Sequence, residues 1–200
     1  MAIDTDSLDA DELLHLAIEA ANRDDHARAI TYLKSIQSAH QDAPNYAAAM
    51  FFLGSEYAQI GMYDRGVEEM TRAVEMAPEF HIARFQLGLL HLTSGRPLPA
   101  QEMWEPLGSL AEDHPETYLR VFKDGLEALI GDRFDECRAL LQRGQAINTL
   151  NLPLNADMQK IIDALPSSDG EPGAGSDAAA PEAASEQNAD HLFLSAYRNN

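Results

Sequence analysis

Cysteine occurs once in the 200 residues, so no disulfide can form within the chain. Basic residues are scarce, 14 against 33 acidic ones, and the net charge of −19 repels phosphate backbones and anionic membrane surfaces. Nucleic acid is therefore not expected as a partner. No apolar run approaches the roughly 20 residues needed to span a bilayer, so direct membrane insertion is not expected either. The opening "MAIDTDSLDADEL" has neither the basic head nor the apolar core of a secretory signal, and together with the lone Cys137 this leads to an expected cytoplasmic location. Also missing are a glycine-rich phosphate loop, a nucleophile elbow and any paired-carboxylate motif that stands out from the general acidity. What the chain does have is an apolar fraction of 45%, enough for a sizeable core.

That apolar content is repetitive. Laid against each other, "FFLGSEYAQIG" and "FQLGLLHLTSG" place Leu53 and Gly54 on Leu87 and Gly88, Gly61 on Gly95, Gly66 on Ala100 and Met70 on Trp104, each 34 residues on. A third copy follows after a three-residue insertion, with Gly125, Cys137 and Leu141 in the slots of Gly88, Ala100 and Trp104. Upstream, Ala17, Ala29 and Leu33 make a weaker fourth, again with a three-residue excess. Asp9 with Glu12 forms a capping box, Pro78 and Pro115 punctuate the units, and Gly61 and Gly95 suit turns between helices.

This pattern resembles the tetratricopeptide repeat family over about residues 9 to 150, and "LGSEY" followed by Gly66, Met70, Ala73 and Pro78 matches its signature. The small residues have a physical reason, because antiparallel helices approach closely only where side chains are small. Arg84, Asp124, His91 and Ala128 depart from the signature, so the third and fourth units are degenerate. The resemblance implies an all-α, right-handed α-solenoid of about four helix pairs over residues 9–165. A closing helix, "ADMQKIIDAL", is expected to be capped by Asn155, with Met158, Ile161, Ile162 and Leu165 on one side. Residues 166–189 hold no large apolar side chain and read as a disordered acidic linker; residues 190–200 form a short apolar C-terminal motif.

Candidates for chemistry are few. No two histidines stand four apart, and His15 with Glu19 is the nearest approach to a metal-binding pair. Cys137 occupies a slot that demands a small side chain, where packing suffices, and Trp104 falls on a helix-packing slot with Leu33, Met70 and Leu141. No cofactor and no metal are expected.

In a stack of helix pairs the first helices line the concave surface. The groove-facing positions read Leu14, Ile18 and Ala21, then Phe51, Ser55 and Ala58, then Phe85, Leu89 and Leu92, and finally Phe122, Leu126 and Leu129. None is charged, which disfavours a clamp for a terminal carboxylate. Either these residues are core in a tightly wound superhelix, or they form an apolar groove for a segment of another protein. Beyond the linker, the motif Leu192, Phe193, Leu194 and Tyr197, read as a helix capped by Asp190, puts Phe193 and Tyr197 four apart on an apolar face with Leu192 and Ala196 adjoining. A coil of 24 residues spans about 27 Å, enough to return to the body of the chain. The leading expectation is a non-enzymatic adaptor or chaperone, the bacterial secretion chaperones of the family being the nearer analogy, with the tail competing for the groove. A homo-oligomeric assembly subunit and an enzyme centred on Cys137 or a histidine are the other readings.

Overall fold

A computed structural model describes residues 7–166, and these residues are helical, with no strand among them. The helices are α1 (Ala10–Ala21), α2 (His26–Ala39), α3 (Tyr46–Gln59), α4 (Tyr63–Met76), α5 (His81–Thr93), α6 (Pro97–Trp104), α7 (Thr117–Ile130), α8 (Phe134–Ile147) and α9 (Leu152–Ala164). A short 3-10 segment, Glu105–Ser109, follows α6. The linker beyond Pro166 and the motif Leu192, Phe193, Leu194 and Tyr197 lie outside the described residues. The chain divides into two compact units between His91 and Leu92.

In the first unit α1 packs on α2 and α3 on α4, and α3 also packs on α2. The short turns within pairs leave neighbouring helices no choice but to run antiparallel. Helix α1 begins with the capping box read from the sequence: Glu12 N–H donates to Asp9 Oδ1 at 2.9 Å and Asp9 N–H to Glu12 Oε2 at 3.0 Å. The α3/α4 crossing is a contact of backbones. A Cβ placed on Gly54 would lie 2.8 Å from the Gly66 carbonyl oxygen and 2.6 Å from Met70 Cγ; one on Gly66 would lie 3.0 Å from the Gly54 carbonyl oxygen.

In the second unit α7 packs on α8, on the 3-10 segment and on α6, while α9 packs on α8. Gly125 plays the part of Gly54, since a Cβ there would meet Leu141 Cδ2 at 2.8 Å. The remaining small slots, Ala17, Ala29, Gly88, Ala100 and Cys137, are buried, as are Leu33, Met70, Trp104 and Leu141.

The turns between the paired helices repeat one backbone device. Asp24, Gly61, Gly95 and Asp132 all have left-handed φ, from 55° to 78°, and follow one another at 37, 34 and 37 residues. Around three of them the same two hydrogen bonds close the preceding helix. Asp24, Gly61 and Asp132 N–H donate three residues back, and Asp25, Met62 and Arg133 N–H donate five back, to Ala20, Tyr57 and Ala128. This is a Schellman closure, which needs a left-handed residue, and aspartate is among the few besides glycine that tolerate it.

One boundary differs from the sequence reading. Helix α9 begins at Leu152, capped by Asn151, whose Oδ1 accepts from Leu154 N–H at 3.3 Å; Asn155 is inside the helix. Pro153 fits the first turn because the N–H it lacks would have had no helical partner there. Met158, Ile161, Ile162 and Leu165 are buried together with Leu154.

Gly54 and Gly61 should respond differently to substitution. Alanine at Gly54 gains about 1 kcal/mol of helix propensity, but its Cβ meets backbone, and forcing the crossing open costs about 1–3 kcal/mol. At Gly61 nothing lies within 4 Å of a Cβ, so the loss of about 1 kcal/mol comes from the left-handed backbone alone. Asparagine should therefore restore much of the stability at position 61 and none at position 54, read from the denaturant midpoint of helical circular dichroism.

Candidate functional site

The first helices of the two pairs in the first unit, α1 and α3, touch, and Leu14 and Ile18 of α1 and Phe51 and Ser55 of α3 are all half-buried. Leu14 and Phe51 pack against the unit's core, whereas Ile18 is not part of that cluster. The Phe51 ring lies 5.5 Å from Phe52 and meets Phe80 edge to face at 5.3 Å. Ser55 donates its hydroxyl to the Phe51 carbonyl at 3.0 Å, so its polarity is consumed within the helix. Aromatic packing thus holds the Phe51 ring in place. Asn45 Nδ2, just before α3, donates to Asp11 Oδ1 of α1 at 2.8 Å and joins the two helices at one end.

The expected groove positions of α5 and α7 are core, while Ala21 and Ala58 are half-buried. Phe85, Leu89, Leu92, Phe122, Leu126 and Leu129 are buried, none more than 5% exposed, and offer no open surface. In α7 the reason is its wide apolar face, which carries Tyr118, Leu119, Val121, Phe122, Leu126 and Leu129 and packs on α8, the 3-10 segment and α6. Phe122 does not look away from α8: a Cβ on Gly144 of that helix would lie 2.4 Å from the Phe122 ring. Leu107 and Leu110, from and just after the 3-10 segment that packs on α7, are buried too, and Arg120 Nη1 donates to the Leu110 carbonyl. Lys123 is held by Glu127 at 2.8 Å and Asp124 at 3.2 Å. Burial pulls its pKa down, but these two carboxylates outweigh burial and leave it raised.

The titratable groups of the first unit tie helices together. Glu56 of α3 is buried and sits 2.8 Å from His26 Nδ1 of α2. Glu69 of α4, also buried, accepts from Gln37 Nε2 of α2 at 2.9 Å and from Arg72 at 3.1 Å. The His15 and Glu19 pair is not assembled for metal binding, since Glu19 is occupied by Arg23 at 2.6 Å and His15 is exposed. In the second unit Cys137 is fully buried, and burial, partly offset by Arg138, pushes its thiol from an ordinary 9.0 to about 12. A nucleophile needs the thiolate, which this environment suppresses.

Large apolar side chains are nonetheless exposed where the repeat gave no reason to look. Ile60, Met62 and Tyr63 flank the α3/α4 turn, and Ile147, Leu150 and Leu152 surround the α8/α9 connection. The legible signal was the run "INTLNLPLN", in which apolar residues alternate with asparagines instead of following a helical period. No helix among the described residues is long and apolar enough to cross a membrane.

This geometry defines a class, an all-helical protein of antiparallel helix pairs crossing at small residues. No protein-family model matches the chain, and no curated protein matches it either.

Burial makes two groups pH-sensitive in the same direction. Tyr118 is raised from 10.0 to about 12 by burial and then by the negative charge of Glu116, and Cys137 from 9.0 to about 12. Both lose their protons earlier in the unfolded chain, so their stabilising contribution is complete below about pH 9 and is lost as pH rises towards 12. The denaturant midpoint should fall across that window. At pH 8 a thiol reagent should modify Cys137 far more slowly in the folded chain than in denaturant, with about a thousandfold less thiolate available.

Proposed function

We propose that this chain is a tetratricopeptide-like, non-enzymatic interaction protein of the cytoplasm, a right-handed solenoid of helix pairs that acts as an adaptor or chaperone. The observation that carries the reading is the recurrence of one left-handed turn residue, at Asp24, Gly61, Gly95 and Asp132, in register with the small-residue slots. Residues of this kind at such spacing build a stack of like units, and stacks of like units serve as binding surfaces. The suppression of the Cys137 thiolate speaks against an enzyme centred on that residue.

Its ligand would be an amphipathic helix laid against Leu14, Ile18 and Phe51, with Ser55 at the edge. The net charge of −19 favours a ligand whose polar face is basic. Burial of the six positions in and beyond α5 shortens the binding face to α1 and α3, so the ligand is a short helix and not one running the length of the chain.

Ile18 is the residue to change, because it lies on this face without belonging to the core cluster. With a fluorescent amphipathic helix of basic polar face as probe, Ile18→Asp should weaken binding about tenfold or more, which is roughly 1.4 kcal/mol. Lys34→Ser, on the exposed part of α2, should leave affinity unchanged. Equal binding by all three proteins would overturn the reading. A mass that rises with concentration, and falls on Ile18→Asp, would instead assign the face to assembly of the chain with itself.

A further inference from the structure

The α8/α9 connection exposes Ile147 at 42%, Leu150 at 62% and Leu152 at 64%, and it does so from a rigid frame. Asn148, only 2% exposed, organises the turn. Its Nδ2 donates to the Asn151 carbonyl at 2.7 Å and to Asn155 Oδ1 at 2.8 Å, while its Oδ1 accepts from Leu150 N–H at 3.2 Å and Asn151 N–H at 3.0 Å. Asn155 Nδ2 in turn donates to the Gln145 carbonyl, and Asn151 caps α9. The buried amides fix the backbone and leave the three apolar side chains facing water. A preformed apolar surface of this kind loses little conformational entropy on being covered.

The chain itself supplies a candidate cover. Arg138 of α8 donates to the carbonyls of Ile162, at 3.2 Å, and Pro166, at 2.9 Å, so the point where residues 167–200 depart is held beside the far end of α9. With thirteen residues in α9, that point lies about 20 Å from Leu152. The first large apolar residues after Leu165 are Leu192, Phe193, Leu194 and Tyr197. The intervening composition corresponds to a coil spanning about 27 Å, and effective concentration is greatest when such a span matches the distance to be bridged. Residues 167–189 carry five carboxylates and no base, while α8 exposes Arg143, one turn before Ile147, and α9 exposes Lys160.

We propose that residues 190–200 dock on their own chain at Ile147, Leu150 and Leu152, with Phe193 and Tyr197 as the apolar contacts. This site is independent of whatever α1 and α3 bind. Docking in cis is favoured even for an untethered affinity of only about 1 mM, because a short tether supplies a local concentration of that order.

The test is made on the full chain with a nitroxide attached at Ser195→Cys, the native Cys137 being buried. Docking predicts loss of the amide NMR signals of Ile147, Leu150 and Leu152, with recovery when the label is reduced. Leu150→Ser with Leu152→Ser should restore those of residues 147–152 in the labelled chain, and so should Phe193→Ser with Tyr197→Ser. Both leucines are exposed, so folding should survive, and circular dichroism checks this. Signals that persist near the α8/α9 connection, or that vanish around Leu14 and Ile18 instead, overturn the proposal. Loss in a mixture of isotope-labelled and spin-labelled chains would transfer the contact to a second copy and overturn it equally.

Discussion

The distance between α3 and α4 is set by backbone touching backbone. Gly54 and Gly66 face each other so closely that neither could carry a Cβ without moving the other helix. Everything around them follows from that approach. Met70, one turn beyond Gly66, is drawn against Gly54, Leu53 and Ala73 become core, and Leu90 of α5 reaches the back of Gly66. A wider crossing would leave voids beside each of these side chains, and voids in a close-packed interior forfeit dispersion contacts. Gly125 against Leu141 repeats the contact of Gly54 with Met70 in the second unit, with Cys137 in the slot of Gly66.

Close crossing in turn demands a short, well-defined reversal. A left-handed residue after the first helix satisfies two orphan carbonyls and turns the chain in three or four residues, returning the next helix to the first at the right height. Glycine meets this requirement twice and aspartate twice. The two aspartates add to the chain's negative charge, which has few bases to neutralise it, and the acidic excess is handled by placement. Most carboxylates stay in water, and the buried pair, Glu56 and Glu69, each find partners on α2. Those bonds cross from the first helix pair to the second and fix their register, which apolar contacts alone specify loosely.

Apolar surface is left open in two different ways. On α1 and α3 it is half-covered and continuous with the core, and aromatic contacts hold Phe51 in place. At the α8/α9 connection it stands on a frame of asparagine amides, separate from the helix faces. On the proposed reading the first kind would take a short helical ligand and the second a few anchoring side chains.

By itself the sequence determined the period, the small and bulky slots, the capping box at Asp9 and the turn glycines. Each expresses a local demand that only certain residues meet: no Cβ at a crossing, tolerance of left-handed φ, an oxygen for an orphan N–H. It misplaced the start of α9, reading Asn155 as the cap, because the turn organised by Asn148 puts Asn151 in that place instead. What tertiary structure alone decided was which of the equivalent apolar positions remain open. The repeat assigns Ile18, Ser55, Leu89 and Leu126 the same place on their helices, yet Leu89 and Leu126 are buried and the other two are half-covered. Periodicity fixes the direction in which a side chain points, but its exposure depends on what lies opposite, and α7 packs on the 3-10 segment Glu105–Ser109, which has no counterpart in the helix pairs, as well as on α8 and α6.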